Sequence, residues 1–222
     1  MIHVQSFSLP PVNRREVLRY AGAKTETPEL SVLLDEIETL SAPLLTGKVC
    51  WTEFTMERQD HLLDLGFATT DSESLQRNLT GCDRIVVFAA TVGLGLDRLI
   101  VRYSHLSPPK MLMLQALGAE RIEALCDVFC QQLQQETEKN GLYPVPRFSP
   151  GYGDFPLALQ KEIFRVLDCP RKIGLTLNDS LLMSPSKSVT AIVGLSPCAG
   201  PNPKNRCSQC SKTDCMYRRT IK

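Results

Sequence analysis

Arg84-Ile85-Val86-Val87-Phe88-Ala89-Ala90 is a continuous apolar run of strand length. A strand with one wet face alternates apolar and polar residues. This one does not after Arg84, so it reads as a strand buried on both faces. Upstream, residues 47–56 read as a strand too, because Val49, Trp51, Thr52, Phe54 and Thr55 are β-branched or aromatic. A further candidate strand runs from His61 to about Thr69, and residues 188–194 give another. The strands are few and short, and they do not alternate strictly with helices. The expected class is therefore α+β, with helices packed on a mainly antiparallel sheet, rather than a doubly wound parallel fold.

Helix signals fill the intervals. Asn13 can cap a short helix over residues 14–21, with Glu16 placed three residues on as in a capping box. Thr27 and Pro28 open a second helix, whose Leu30, Leu33, Leu34, Ile37 and Leu40 make one stripe before Pro43 stops it. A short helix carries Leu75 and Leu79, and Gly81 ends it. Thr91-Val92-Gly93-Leu94-Gly95 joins the buried strand to a helix. It lacks the third glycine of a dinucleotide fingerprint and the Gly-Lys-Ser/Thr of a P-loop, so it reads as a tight turn. Ser107-Pro108-Pro109 begins the longest helix, to about Lys139, with Ser107 as cap. Met111, Leu114, Gly118, Ile122, Leu125, Phe129 and Leu133 share one face of it. Gly118 in mid-helix suggests that another backbone passes close by. Glu123 lies at the edge of the buried stripe. Residues 156–168 form another helix.

Between these last two helices lies Pro144-Val145-Pro146-Arg147-Phe148-Ser149-Pro150-Gly151-Tyr152-Gly153-Asp154. Three prolines and Gly151 rule out a helix interior or a central strand and make a stiff, extended loop. The loop offers a permanent cation, Arg147, whose planar fork suits a carboxylate or phosphate. It also offers Tyr152 for stacking or a hydrogen bond.

Composition excludes several classes. Lys+Arg 25 against Asp+Glu 24 leaves no basic surplus for nucleic-acid binding by counterion release. No apolar stretch approaches the roughly 18 residues of a membrane span. The first residues show no signal-peptide pattern, so a cytoplasmic protein without a disulfide framework is expected. His3, His61 and His105 have no supporting constellation for a hydrolase.

Three ordered stretches resemble the S-adenosylmethionine-binding activation domain of cobalamin-dependent methionine synthase. Arg147-Phe148-Ser149-Pro150-Gly151-Tyr152 looks like that family's Arg-x-x-x-Gly-Tyr core. Residues 178–190 are similar to its Glu-Ser-x-x-Met-x-Pro-x-x-Ser-Val-Ser/Thr segment, and residues 116–124 to its preceding helix with a Glu-Ala pair. The resemblance implies a repair role. When cob(I)alamin is oxidised to inactive cob(II)alamin, an electron donor such as flavodoxin or ferredoxin and a methyl group from S-adenosylmethionine restore methylcobalamin. By resemblance, Arg147 would hold the ligand's carboxylate and Glu123 would lie near its ammonium. Ser149 and Gly151 would offer backbone contacts, and Tyr152 would pack on it. The family's N-terminal aspartate for the ammonium has no evident counterpart. The resemblance implies a free-standing reactivation subunit for a cobalamin-binding methionine synthase or another corrinoid methyltransferase protein, in methionine biosynthesis.

The expected organisation is an activation-domain-like α+β domain over residues 1–195 and a Cys-rich tail over 196–222. Cys198, Cys207, Cys210 and Cys215 crowd into that tail, and Cys207 and Cys210 have the x-x spacing of a metal-binding pair. Zinc, an iron–sulfur cluster and free thiols all remain open on this spacing. A cluster would make the chain a reductive activator that delivers the electron itself. A zinc-bearing accessory domain is the plainest alternative.

Overall fold

The apolar run at residues 84–90 is the middle strand of a five-stranded sheet in the computed structural model, which describes residues 1–199. In chain order the elements are β1 (His3–Phe7), α1 (Arg14–Tyr20), α2 (Pro28–Ser41) and β2 (Gly47–Thr55). Next come β3 (Glu57–Gln59), β4 (Leu62–Asp64), β5 (Thr69–Thr70), α3 (Glu73–Asn78), β6 (Arg84–Thr91), α4 (Leu94–Leu106) and α5 (Pro108–Glu138). The chain continues through β7 (Tyr143–Pro144), α6 (Gln160–Leu167), α7 (Cys169–Ile173), β8 (Thr176–Leu177), β9 (Met183–Ser184) and β10 (Ser188–Ser196). The main sheet has the order β1-β2-β6-β10-β7, and every pairing in it is antiparallel. This is the expected α+β class.

Both faces of the sheet are covered. Val86, Phe88 and Ala90 point into a core shared with α1, α2, α4 and α5, while Ile85, Val87 and Ala89 point into one built from α3, α6 and α7. That is why β6 shows no polar alternation. Phe129 of α5 sits against Phe88, Trp51 and Phe7, with ring centroids 4.8, 5.2 and 6.2 Å away, and so joins the long helix to three strands. Each fully buried side chain of this size contributes about 1.5–3 kcal/mol.

The helix ends repay comparison with the sequence. The Asn13 side chain accepts from the Glu16 N–H at 3.3 Å, and Thr27 from the Leu30 N–H at 3.4 Å, as expected. The reciprocal half of the capping box does not form. The Asn13 N–H donates to Glu120 Oε1 at 3.2 Å, and Glu16 accepts from Arg19 instead. Ser107 makes no side-chain cap bond at the start of α5. What presses on Gly118 is not a backbone: a Cβ there would meet the Leu96 and Lys187 side chains at 2.8 Å.

Other expectations are corrected. The single strand from 61 to 69 is two, β4 and β5, because the chain reverses at Gly66 (φ +76°). The helix expected over 156–168 begins properly at Gln160, after a 3-10 turn, and Asp168 in the left-handed region breaks it from α7. The edge strand β1 and the β8–β9 hairpin were not expected. The tight turn after β6 stands. Gly93 (φ +89°) caps α4 at a place where a Cβ would collide with Thr46. No helix among the described residues is long and apolar enough to cross a membrane.

Candidate functional site

Arg147 meets α5. Glu123 and Asp127 are four residues apart, on one face of that helix. The Arg147 guanidinium donates from Nη2 to Glu123 Oε2 and from Nη1 to Asp127 Oδ1, each at 2.7 Å. Burial opposes its charge. The neighbouring Asp127 and Glu123 carboxylates outweigh burial, so its pKa is raised above the ordinary arginine value. The Cys126 and Cys130 thiols pack against the same group, and burial pushes both of them up. The expected pair, Arg147 and Glu123, is therefore in contact. The guanidinium, however, already holds two protein carboxylates, and Asp127 was not foreseen. Its spacing from Glu123 was the available signal.

The carboxylates also face outward. A groove of about 730 Å³ runs between α1, residues 10–13 and α5, and Asn13, Arg15, Glu16, Tyr20, Glu123 and Asp127 line it. Burial, and then the Glu123 carboxylate, raise the pKa of the Tyr20 phenol. Glu123 thus contacts Arg147 on one side and is felt by Tyr20 on the other.

The floor of the groove is a sealed network. Arg121 donates to both oxygens of Glu120, at 2.5 and 2.7 Å, and to the carbonyls of Pro10 and Pro11, at 2.6 and 3.2 Å. The Asn13 N–H donates to Glu120. This fixes the segment that leads into α1 against α5.

The remaining loop residues bond elsewhere. Phe148 exchanges two 2.8 Å backbone bonds with Ile192 of β10, and Pro150 is buried. The Gly151 N–H donates to the Phe155 carbonyl at 2.8 Å, and the Tyr152 N–H to the Ser149 carbonyl at 3.2 Å. Gly151 has φ +92°, a backbone shape that costs other residues strain. Tyr152 is 64% exposed. Ser149, Gly151 and Tyr152 therefore form one compact turn, anchored beside Arg147 but not bonded to it.

Of the tail cysteines, Cys198 is described and exposed, while Cys207, Cys210 and Cys215 lie outside the described residues. No group of three or more His, Cys, Asp or Glu among the described residues is arranged to hold a metal.

A curled antiparallel sheet with helices on both faces and an Arg-x-x-x-Gly-Tyr turn at its edge defines the class of domain. The chain belongs to the activation-domain family of vitamin B12-dependent methionine synthases: that family's model matches residues 55–201, well over half of the chain. Among solved structures, the crystal structure of the MetH reactivation domain bound to AdoHcy matches with a TM-score of 0.68 and 17% identity, covering 90% of this chain and 80% of that one. At this identity the likeness speaks for the fold. No curated protein sequence matches the chain.

Proposed function

We propose that the chain binds S-adenosylmethionine and presents it to a cobalamin-carrying partner for reductive methylation. The observation that carries this reading is the 2.7 Å meeting of the Arg147 guanidinium and the Glu123 carboxylate, with Glu123 also lining a groove of about 730 Å³ whose wall Arg147, Ser149, Gly151 and Tyr152 do not join. The amino-acid end of the ligand is a zwitterion, which needs one cationic and one anionic partner. Cavities of roughly 300–1,000 Å³ suit ligands of that size. Family membership and the AdoHcy held by the structural neighbour support the same ligand class.

In this reading Arg147 turns part of its fork from Asp127 to the ligand's carboxylate, since a guanidinium has five donors. Glu123 takes the ammonium. The Ser149, Gly151 and Tyr152 turn contacts the nucleoside. The sulfonium supplies the methyl group, and the corrin belongs to the partner. The chain's own work is binding and orientation.

Calorimetry with S-adenosylmethionine and S-adenosylhomocysteine tests the reading. Wild-type protein is expected to bind in the micromolar range or more weakly, with Arg147→Ala losing at least about tenfold, or 1.4 kcal/mol. Absence of heat with both ligands, with and without a cobalamin-binding methionine synthase fragment, would overturn it.

A further inference from the structure

Helix α3 contributes nothing to the groove, yet it grips the Arg147 loop at both ends. At its start, the Asp154 carboxylate accepts three hydrogen bonds: from Ser72 Oγ at 2.6 Å, from the Ser74 N–H at 3.0 Å and from the Glu73 N–H at 2.8 Å. The Ser72 hydroxyl also accepts from the Leu75 N–H at 3.2 Å, so one side chain both caps α3 and holds the loop. At the other end, Asn78 Nδ2 donates to the Pro146 carbonyl at 3.1 Å, one residue before Arg147. Between the two grips, Gly153 (φ +56°) lies so close that a Cβ would meet Ser74 Oγ at 2.6 Å.

These contacts span residues 146–154, the whole stretch that carries Arg147 and Tyr152. Charge-assisted bonds of this kind are the strong ones. The three donors hold the Asp154 carboxyl well below the usual carboxylate range, the Ser72 hydroxyl most of all. The helix itself is fixed from beneath, with Leu75 and Leu79 fully buried.

We propose that α3 is a strut that sets the position of the ligand loop, with Asp154 and Asn78 as its positioning residues. The inference rests on the loop binding S-adenosylmethionine as proposed above, but its mechanical half stands alone. A loop with two prolines, held at two points by four hydrogen bonds, loses little conformational entropy when a ligand arrives. Cutting the strut restores that cost and displaces Tyr152.

The test joins amide exchange with calorimetry on the full chain, using Asp154→Ala, Asp154→Asn, Asn78→Ala and Arg147→Ala. In Asp154→Ala the Gly151 and Phe155 amides should exchange at least about tenfold faster, while β6 and β10 amides keep their protection. S-adenosylhomocysteine should bind about tenfold more weakly. Asp154→Asn, which keeps an acceptor, should fall between Ala and wild type, again with β6 and β10 protection unchanged. Unchanged loop exchange in both Asp154 variants would overturn the strut. So would loosening that spreads equally into β6 and β10. Faster loop exchange with unchanged binding, alongside a loss in Arg147→Ala, would overturn the positioning role and leave the ligand reading intact. Absent binding in wild type would count against the ligand reading, and exchange would still decide the strut.

Discussion

Two arginine–carboxylate clusters sit on α5, and they differ in what surrounds them. Arg121 and Glu120 are sealed, with side chains 3% and 6% exposed, and each makes further bonds to residues 10–13. Arg147 with Glu123 and Asp127 is open: the side chains are 20%, 36% and 47% exposed. The sealed cluster satisfies its charges internally and has nothing left to offer a ligand. The open one keeps water, and therefore a ligand, within reach of the same chemistry. Neighbouring turns of one helix thus serve as anchor and as candidate site.

The largest effect should come from breaking the anchor. Arg121→Ala leaves Glu120 buried without its cation, and a broken buried pair costs about 3–5 kcal/mol. Chemical denaturation should show that loss. Replacing Arg121 and Glu120 together by methionine should not restore full stability, because the Pro10 and Pro11 carbonyls and the Asn13 N–H would lose their partners. A double variant as stable as wild type would mean that the network adds only packing.

How much of this could be read in advance follows from the range of each interaction. β6, β2 and the α5 stripe were legible because their patterns are local, and β6 is buried throughout after Arg84. Glu123 and Arg147 were legible through motif order. The Asp127 contact was within reach, four residues from Glu123. The anchor was not, because Arg121 reaches across more than a hundred residues to two prolyl carbonyls that any sequence would supply. β1 is a five-residue edge strand whose partner β2 begins forty residues later, and β4 and β5 depend on one glycine turn. Asp154 stood in view within the loop, but its partner Ser72 lies 82 positions away.

Acid distinguishes Asp154 from an unpartnered surface carboxylate. Its folded-state pKa is depressed, so its contribution is fully present above the unfolded value of about 3.9 and is lost as pH falls through the folded one. Between neutral pH and about pH 4 the loop should therefore stay attached. Below that range, the protection of the Gly151 and Phe155 amides, meaning their exchange relative to the intrinsic rate at the same pH, should fall in wild type, and Asp154→Ala should show no such fall. A wild-type loop whose protection is unchanged down to the acid unfolding transition would remove Asp154 from the account.

The smallest effect is the one that sharpens the contrast most. Asp127→Asn removes a charge that is about half exposed, where ion pairs contribute about 0.2–1 kcal/mol. The loss should shrink further at high salt, since solvent ions screen an open pair and do not reach a sealed one. Arg121→Ala should keep its cost across the same salt series. Glu123→Gln should resemble Asp127→Asn in stability and differ from it in binding, because Glu123 is proposed to take the ligand's ammonium whereas Asp127 bonds to Arg147. Calorimetry with S-adenosylhomocysteine separates the two: Glu123→Gln should weaken binding, while Asp127→Asn should leave it or tighten it by freeing the guanidinium. If Asp127→Asn proves as costly and as salt-independent as Arg121→Ala, the two clusters are one kind of anchor, and the loop's arginine is structural.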